Sequence, residues 1–399
     1  MIALTLALAY GIWYSYSVIL VALLAEFGWS RSLLAGAFSV FTLLHGLVNP
    51  AIGALCARFR PLRVMAGGGL AMGLALLADS FIATPGQLYL FFGVFTALAV
   101  AGAGWVPALV HVQREYQERV GLSIGIISAG VGVGMLLVVP LTQLLIDAFG
   151  WRTAFRVLAA LCALWIVPAS LWLMRAPRGA PVTKTAAQAR PRPASRAMTL
   201  AEAARTQPFW LLMGAFFFGN VGSQMLHVHQ VAYLVDHGLA AIVAASVVSV
   251  VGLASIVGKA GGGWLSDRVE RELVYAAGIA ILVSSAFVLL ALGAAPTRWG
   301  AYGYAVLLGL GYSVTAAIAP AMAADRFSGP HFGAIVGVLL MGTAAGSALG
   351  PWLAGRLYDA SASYTAAFTI AAACSALAGV GGWRARTLRR RSQGSESFA

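Results

Sequence analysis

Charge is what this sequence has least of: Asp, Glu, Lys and Arg make up 10% of its 399 residues, against roughly a quarter in an average soluble domain. So little charge excludes a globular chain surrounded by water. Cysteine is nearly absent too. Cys56, Cys162 and Cys374 lie in apolar stretches at no metal-ligand spacing, which argues against a disulfide framework or a zinc site. Walker loop, catalytic-triad spacing, His-Glu-x-x-His and nucleotide fingerprint are all missing, so no enzyme and no cofactor is expected. Acids number 13 against 26 Lys and Arg. Those basic residues are scattered over short loops rather than gathered in a patch, which argues against nucleic acid as a partner.

What is present is apolar, 60% of the chain. Windows of 18 or more apolar residues recur, each long enough at ~1.5 Å rise per residue to cross ~30 Å of hydrocarbon. They predict an all-α membrane protein of about twelve transmembrane helices, surrounded by lipid. The expected spans are 2–25, 32–57, 64–83, 87–110, 121–146, 153–174, 208–235, 240–265, 273–294, 299–323, 332–356 and 362–383. The first is expected to stay in place, since no basic region precedes it and it is long for a cleaved signal.

Nearly all Lys and Arg outside the spans fall on one side. The even-numbered connections and the tail carry Arg58, Arg60, Arg63, Arg114, Arg119, Arg268, Arg271, Arg326, Arg384, Arg386 and more, while the odd-numbered loops hold only Arg31, Arg152, Arg298 and Arg356. Cytoplasmic loops retain positive charge, so both termini are expected in the cytoplasm, with the protein in a plasma membrane, the bacterial inner membrane. A Pro-, Ala- and Arg-rich interval at 175–207 reads as a flexible cytoplasmic linker. It separates an N-terminal bundle, 1–174, from a C-terminal one, 208–383, followed by a tail at 384–399. A monomer is expected.

The two bundles repeat each other. Gly121, Gly125, Gly130, Gly134 and Asp147 match Gly333, Gly337, Gly342, Gly346 and Asp359, every pair 212 positions apart. Gly53 to Arg58 and Gly263 to Arg268 form a second pair, 210 apart. Six spans restore the starting side, so the halves run parallel, with a cavity expected between them.

Gly263-Trp264-Leu265-Ser266-Asp267-Arg268 resembles the Gly-x-x-x-Asp-Arg motif of the major facilitator superfamily, which implies two parallel six-helix halves and a gating contact at this motif. Gly263, Asp267, Arg268 and Arg58 are the gating residues carried over. The first copy has Ala57 where the Asp belongs, which removes a carboxylate able to cap a helix or pair with Arg. Tyr116, Arg119, Leu122, Gly125, Ala129, Gly130 and Gly134 further resemble the fifth-span motif of the monocarboxylate transporters and the oxalate:formate antiporter group.

Within the spans the outstanding charge is Lys259, which costs ~2.5–3.5 kcal/mol to insert and therefore reads as functional. Snorkelling to the interface is its competing role. The resemblance implies that an Arg pairing with the substrate carboxylate stands where this chain has Lys259, and a proton-coupling Asp one turn earlier, where it has Ser255. A lone buried cation suits a small monoanion as counter-ion. Tyr14 and Tyr312 are expected to wall the cavity, while interfacial belts account for Trp29, Trp151 and Trp299. Either His227 or His229 would suit a proton; His229 is the choice carried forward as a site residue.

The expected function is secondary active transport of a small organic anion, a monocarboxylate, by alternating access, with protons as a partner in symport. The alternatives are an efflux carrier for lipophilic compounds, using the aromatic cavity, or a non-transporting membrane receptor.

Overall fold

The computed structural model describes residues 1–115, 120–175, 198–327, 329 and 331–396. The linker residues 176–197 and the motif residues Tyr116 and Arg119 lie outside the described residues. The described residues hold twelve helices long and apolar enough to cross a membrane, and a short capped helix, Leu200–Ala204, inside the interval expected to be a flexible linker. In order the twelve are α1 (Ile2–Phe27), α2 (Arg31–Arg58), α3 (Pro61–Asp79) and α4 (Pro85–Glu115). Then follow α5 (Val120–Phe149), α6 (Trp151–Arg175), α7 (Gln207–Asp236) and α8 (Ala241–Ser266). The last four are α9 (Arg271–Leu292), α10 (Arg298–Phe327), α11 (Phe332–Ser361) and α12 (Thr365–Glu396).

Every expected span has its helix, with ends displaced by a few residues. The largest departure is α12, which continues through Glu396, so residues 384–396 extend a helix. A second is α4, where Tyr89–Thr96 is π-helical and Gly104 breaks the helix before Trp105.

Turns between spans are short and chemically specified. Ser30 caps α2 by accepting from the Leu33 N–H, and Thr84 with Gln87 forms a capping box at α4, satisfying donors that a helix start leaves open. Gly28, at φ 62°, ends α1 in the left-handed region that glycine enters without strain.

The duplication is visible in the packing. In the first half Gly130 and Gly134 of α5 lie against Ala3 and Ala7 of α1; in the second, Gly342 and Gly346 of α11 lie against Met213 and Phe217 of α7. The glycine pairs are 212 residues apart and their partners 210. Without a Cβ, helix backbones approach closely, which supplies most of the attraction where lipid removes the hydrophobic drive.

The halves touch unevenly. Gly355 of α11 meets Arg31 of α2, Gly36 meets Trp352 and Gly46 meets Ala344, while Gly132 of α5 lies against Gly252 and Ile256 of α8. Towards the end that carries the termini, Gly125, Gly263, Gly333 and Gly337 meet nothing within 4 Å. The molecule is therefore closed at one end and parted at the end bearing the termini.

Candidate functional site

Lys259 lies where the closed part gives way to the open part. On α8 the lipid-facing stripe is marked by Leu253, Val257 and Trp264, exposed by 52%, 60% and 59%. Gly252 and Ile256 form another stripe, against Gly132 of α5. Helical spacing puts Lys259 on this second stripe, one turn beyond Ile256 and about 200° round from Val257. It is half-buried and makes no ion pair among the described residues. Its neighbour Gly258 is buried against Leu310 and Ser313, which sets Lys259 level with Tyr312 of α10.

Tyr312 reaches across the halves. Its hydroxyl lies 3.1 Å from that of Tyr14 on α1, and the His227 ring stands 4.8 Å from Tyr312 and 5.6 Å from Tyr14. The expectation that both tyrosines wall the space between the halves thus acquires a direct contact between them. A small cavity lies beside this contact, lined by Trp13, Tyr14, Ser17, Phe38, Gln224, His227 and Val228.

Two expected site residues stand elsewhere. Ser255 is buried and its hydroxyl donates to the Gly252 carbonyl of its own helix at 2.8 Å, so it offers a ligand no free donor. His229 is fully buried and occupied at both nitrogens, by the Tyr364 hydroxyl and the Pro351 carbonyl, each at 2.9 Å. Its neighbour His227 is the histidine at the tyrosine pair. The gating residues are apart: Arg58, Asp267 and Arg268 are exposed, and Arg268 folds back onto Trp264, donating to its carbonyl and covering its ring at 3.9 Å. Their end of the molecule is the open one.

The closed end holds a cluster that the charge pattern marked only as loop residues. Arg31 pairs with Asp236 at 2.7 Å, donates to the Tyr364 hydroxyl at 2.6 Å and lies 3.8 Å above the Tyr358 ring. Asp359 accepts the Arg31 and Ser32 backbone N–H groups, both at 2.9 Å, capping α2 from the other half of the molecule. The donor sequence is set by the Pro351 carbonyl, which can only accept. His229 Nε2 therefore donates, Nδ1 accepts from Tyr364, and the Tyr364 oxygen accepts from Arg31. Burial pushes the Tyr364 phenol upward, against the opposing effect of Arg31, so it keeps the proton it donates.

Twelve spans, a duplicated pair of bundles and contacts that close one end define an integral membrane transporter. The chain belongs to the major facilitator superfamily, whose model matches residues 2–307 and 236–398. It is similar to monocarboxylate transporter 13 of Bos taurus, at 28% identity over 92% of this chain and 83% of that one. Monocarboxylate transporter 3 of Mus musculus is 30% identical, over 93% and 75%. Among solved structures, the nucleoside transporter NupG superposes with a TM-score of 0.76 at 13% identity, covering 96% of this chain and 98% of that one. A bacterial homologue of the human lysosomal transporter Spinster, inward-facing and unoccupied, gives 0.67 at 18%, covering 96% of each chain. Relatives and fold neighbours are transporters, not enzymes.

Proposed function

We propose that this transporter carries a small organic monoanion, a monocarboxylate, by alternating access, and that Lys259 holds the carboxylate. The single observation that supports this most is a half-buried Lys259 that makes no ion pair among the described residues, away from the lipid-facing stripe and level with Tyr312. A buried cation without a partner is poorly compensated, and a carboxylate completes it. One cation suits one negative charge, and an ammonium holds it as a point charge rather than through a bidentate fork. The similarity to monocarboxylate transporters agrees with this substrate class. With the positive loops inside, the open end faces the cytoplasm, in an inner membrane.

The test is the affinity of folded, membrane-inserted variants for butanoate. Lys259→Gln keeps most of the side-chain bulk and removes the charge, so binding should weaken at least tenfold, about 1.4 kcal/mol. Lys259→Arg should keep part of the affinity with altered preference among acids. Equal affinity in all three proteins would remove the monocarboxylate reading.

A further inference from the structure

A second cavity lies at the closed end, on the side opposite the termini, and wholly within the second half. Its walls are the end of α7, the end of α9 and the turn from α11 into α12. It holds ≈ 540 Å³, inside the range of about 300–1,000 Å³ that small-molecule pockets occupy. Tyr233, Asp236, His237, Leu290, Tyr358 and Tyr364 line it. Lys259, Tyr14 and Tyr312 take no part in it.

Its lining carries charge of one sign. Arg31, Arg152, Arg298 and Arg356 are the basic residues of this end, and none of them lines the cavity, whereas the Asp236 carboxylate does. Asp236 is 33% exposed and its partner Arg31 only 10%, so a molecule in the cavity reaches the acid rather than the guanidinium. Asp359 accepts the Arg31 backbone N–H, which sets two carboxylates against one guanidinium.

The hydrogen-bonding roles point the same way. His237 Nδ1 lies 2.7 Å from the Tyr233 carbonyl oxygen, which can only accept, so Nδ1 donates and Nε2 of the neutral ring is an acceptor. The Tyr233 hydroxyl gives its proton to the Leu290 carbonyl, at 3.2 Å, and keeps only lone pairs. A carboxylate, an imidazole nitrogen and a phenol oxygen, all accepting, match a group that is positive and rich in N–H donors. An ammonium is such a group.

We propose that this cavity binds a small organic amine, with its primary ammonium on Asp236 and His237 and its apolar body against Leu290 and the Tyr233 ring. The ammonium and Arg31 contend for one carboxylate, so the site is coupled to the closed junction. Amine binding weakens the Arg31–Asp236 pair, and by reciprocity loss of the pair strengthens amine binding. The amine is an effector that acts from outside the space between the halves and favours their parting at this end.

The probe is 2-phenylethylammonium, titrated calorimetrically into the full-length protein in phosphatidylcholine nanodiscs, whose lipid carries no primary amine. The comparators are 2-phenylethanol, which is uncharged, and trimethyl(2-phenylethyl)ammonium, a cation without N–H donors. The primary amine should bind about tenfold or more tightly than either, the scale of a charge-assisted hydrogen bond. Asp236→Asn and Arg31→Ala break the same ion pair and should act in opposite directions. Asp236→Asn should weaken the amine by about tenfold or more. Arg31→Ala, which frees the carboxylate, should tighten it by about threefold, the worth of a partly exposed pair. His237→Phe should weaken it by a smaller factor than Asp236→Asn, and Lys259→Gln should leave it within about twofold of wild type, as a distant site does. Monodisperse elution reports that each variant is folded, and Arg31→Gln, which keeps more of the bulk, replaces Arg31→Ala if the latter fails that check. Wild type that does not bind the amine, or binds the alcohol or the quaternary cation equally well, would overturn the proposal. So would weakened or unchanged binding in the Arg31 variant, since a pair that merely holds the cavity in shape would lose affinity from either side.

Discussion

His227 and His229 are two residues apart and do different work, because two steps along a helix turn a side chain by about 200°. His227 faces α1 and Tyr312 at the junction of the halves, whereas His229 faces α11 and Tyr364. This assignment was not legible in the sequence. From Val221 to Leu234 every residue of α7 is buried, so no polar face marks which way the helix is turned. Replacing His229 should therefore act on stability rather than on recognition. His229→Phe leaves the Pro351 carbonyl and the Tyr364 hydroxyl each short of a partner, a loss of about 1–3 kcal/mol for a buried group. The thermal midpoint of the purified protein should fall while the ranking of acids in competition stays that of the wild type. A reordered ranking would return His229 to the substrate site.

At the level of elements, the sequence carries its information in length and composition. Apolar windows specify the spans because the membrane demands internally satisfied backbone over a fixed thickness, and all twelve appear. The π-helical stretch and the Gly104 break in α4 were hidden, since neither alters the apolar composition of Pro85–Glu115. Glycine spacing revealed the duplication but not which glycines are in contact. Gly346 lies against the Phe217 backbone, where a side chain has no room, while Gly337, nine residues earlier in the same helix, meets nothing within 4 Å. Gly346→Leu should therefore destabilise α11 against α7 by at least 1–3 kcal/mol, the usual cost of overpacking, and lower the yield of monodisperse protein. Gly337→Leu should remain within about 0.5 kcal/mol of wild type, as substitutions away from close contacts do. Equal effects at the two positions would contradict the packing of the second half.

In the molecule as a whole, the two halves are parted at the end bearing the termini and joined at the other, so under the alternating access proposed above the joined end is the one that opens. Its polar connection is concentrated on Arg31. From the first half it engages Asp236, Tyr358 and Tyr364 of the second, and its own backbone N–H is held by Asp359. Charge topology alone treats Arg31 as an isolated residue of a short loop; only the fold brings the ends of α7 and α11 to it. A charge-assisted hydrogen bond contributes about 1.5–3 kcal/mol and a cation over an aromatic face about 0.5–2 kcal/mol. Asp236 is partly exposed, at 33%, which places the sum towards the lower values, near ~3 kcal/mol. Two-state arithmetic then sets the outcome: about 5.5 kcal/mol takes a 99:1 population to 1:99, so half of that brings it near parity. Arg31→Ala should therefore open the joined end in a large share of molecules, and Asp359→Asn, which weakens the cap but leaves Arg31, should do so less. Ser39, whose hydroxyl donates to the Ala348 carbonyl across the junction, is the position to watch. With Cys56, Cys162 and Cys374 replaced, Ser39→Cys should react slowly with an impermeant maleimide applied from the side opposite the termini. Adding Arg31→Ala should accelerate labelling by about tenfold or more, and adding Asp359→Asn by a smaller factor. An unchanged labelling rate in the Arg31→Ala background would show that packing of α2 on α11, rather than the Arg31 cluster, keeps that end shut.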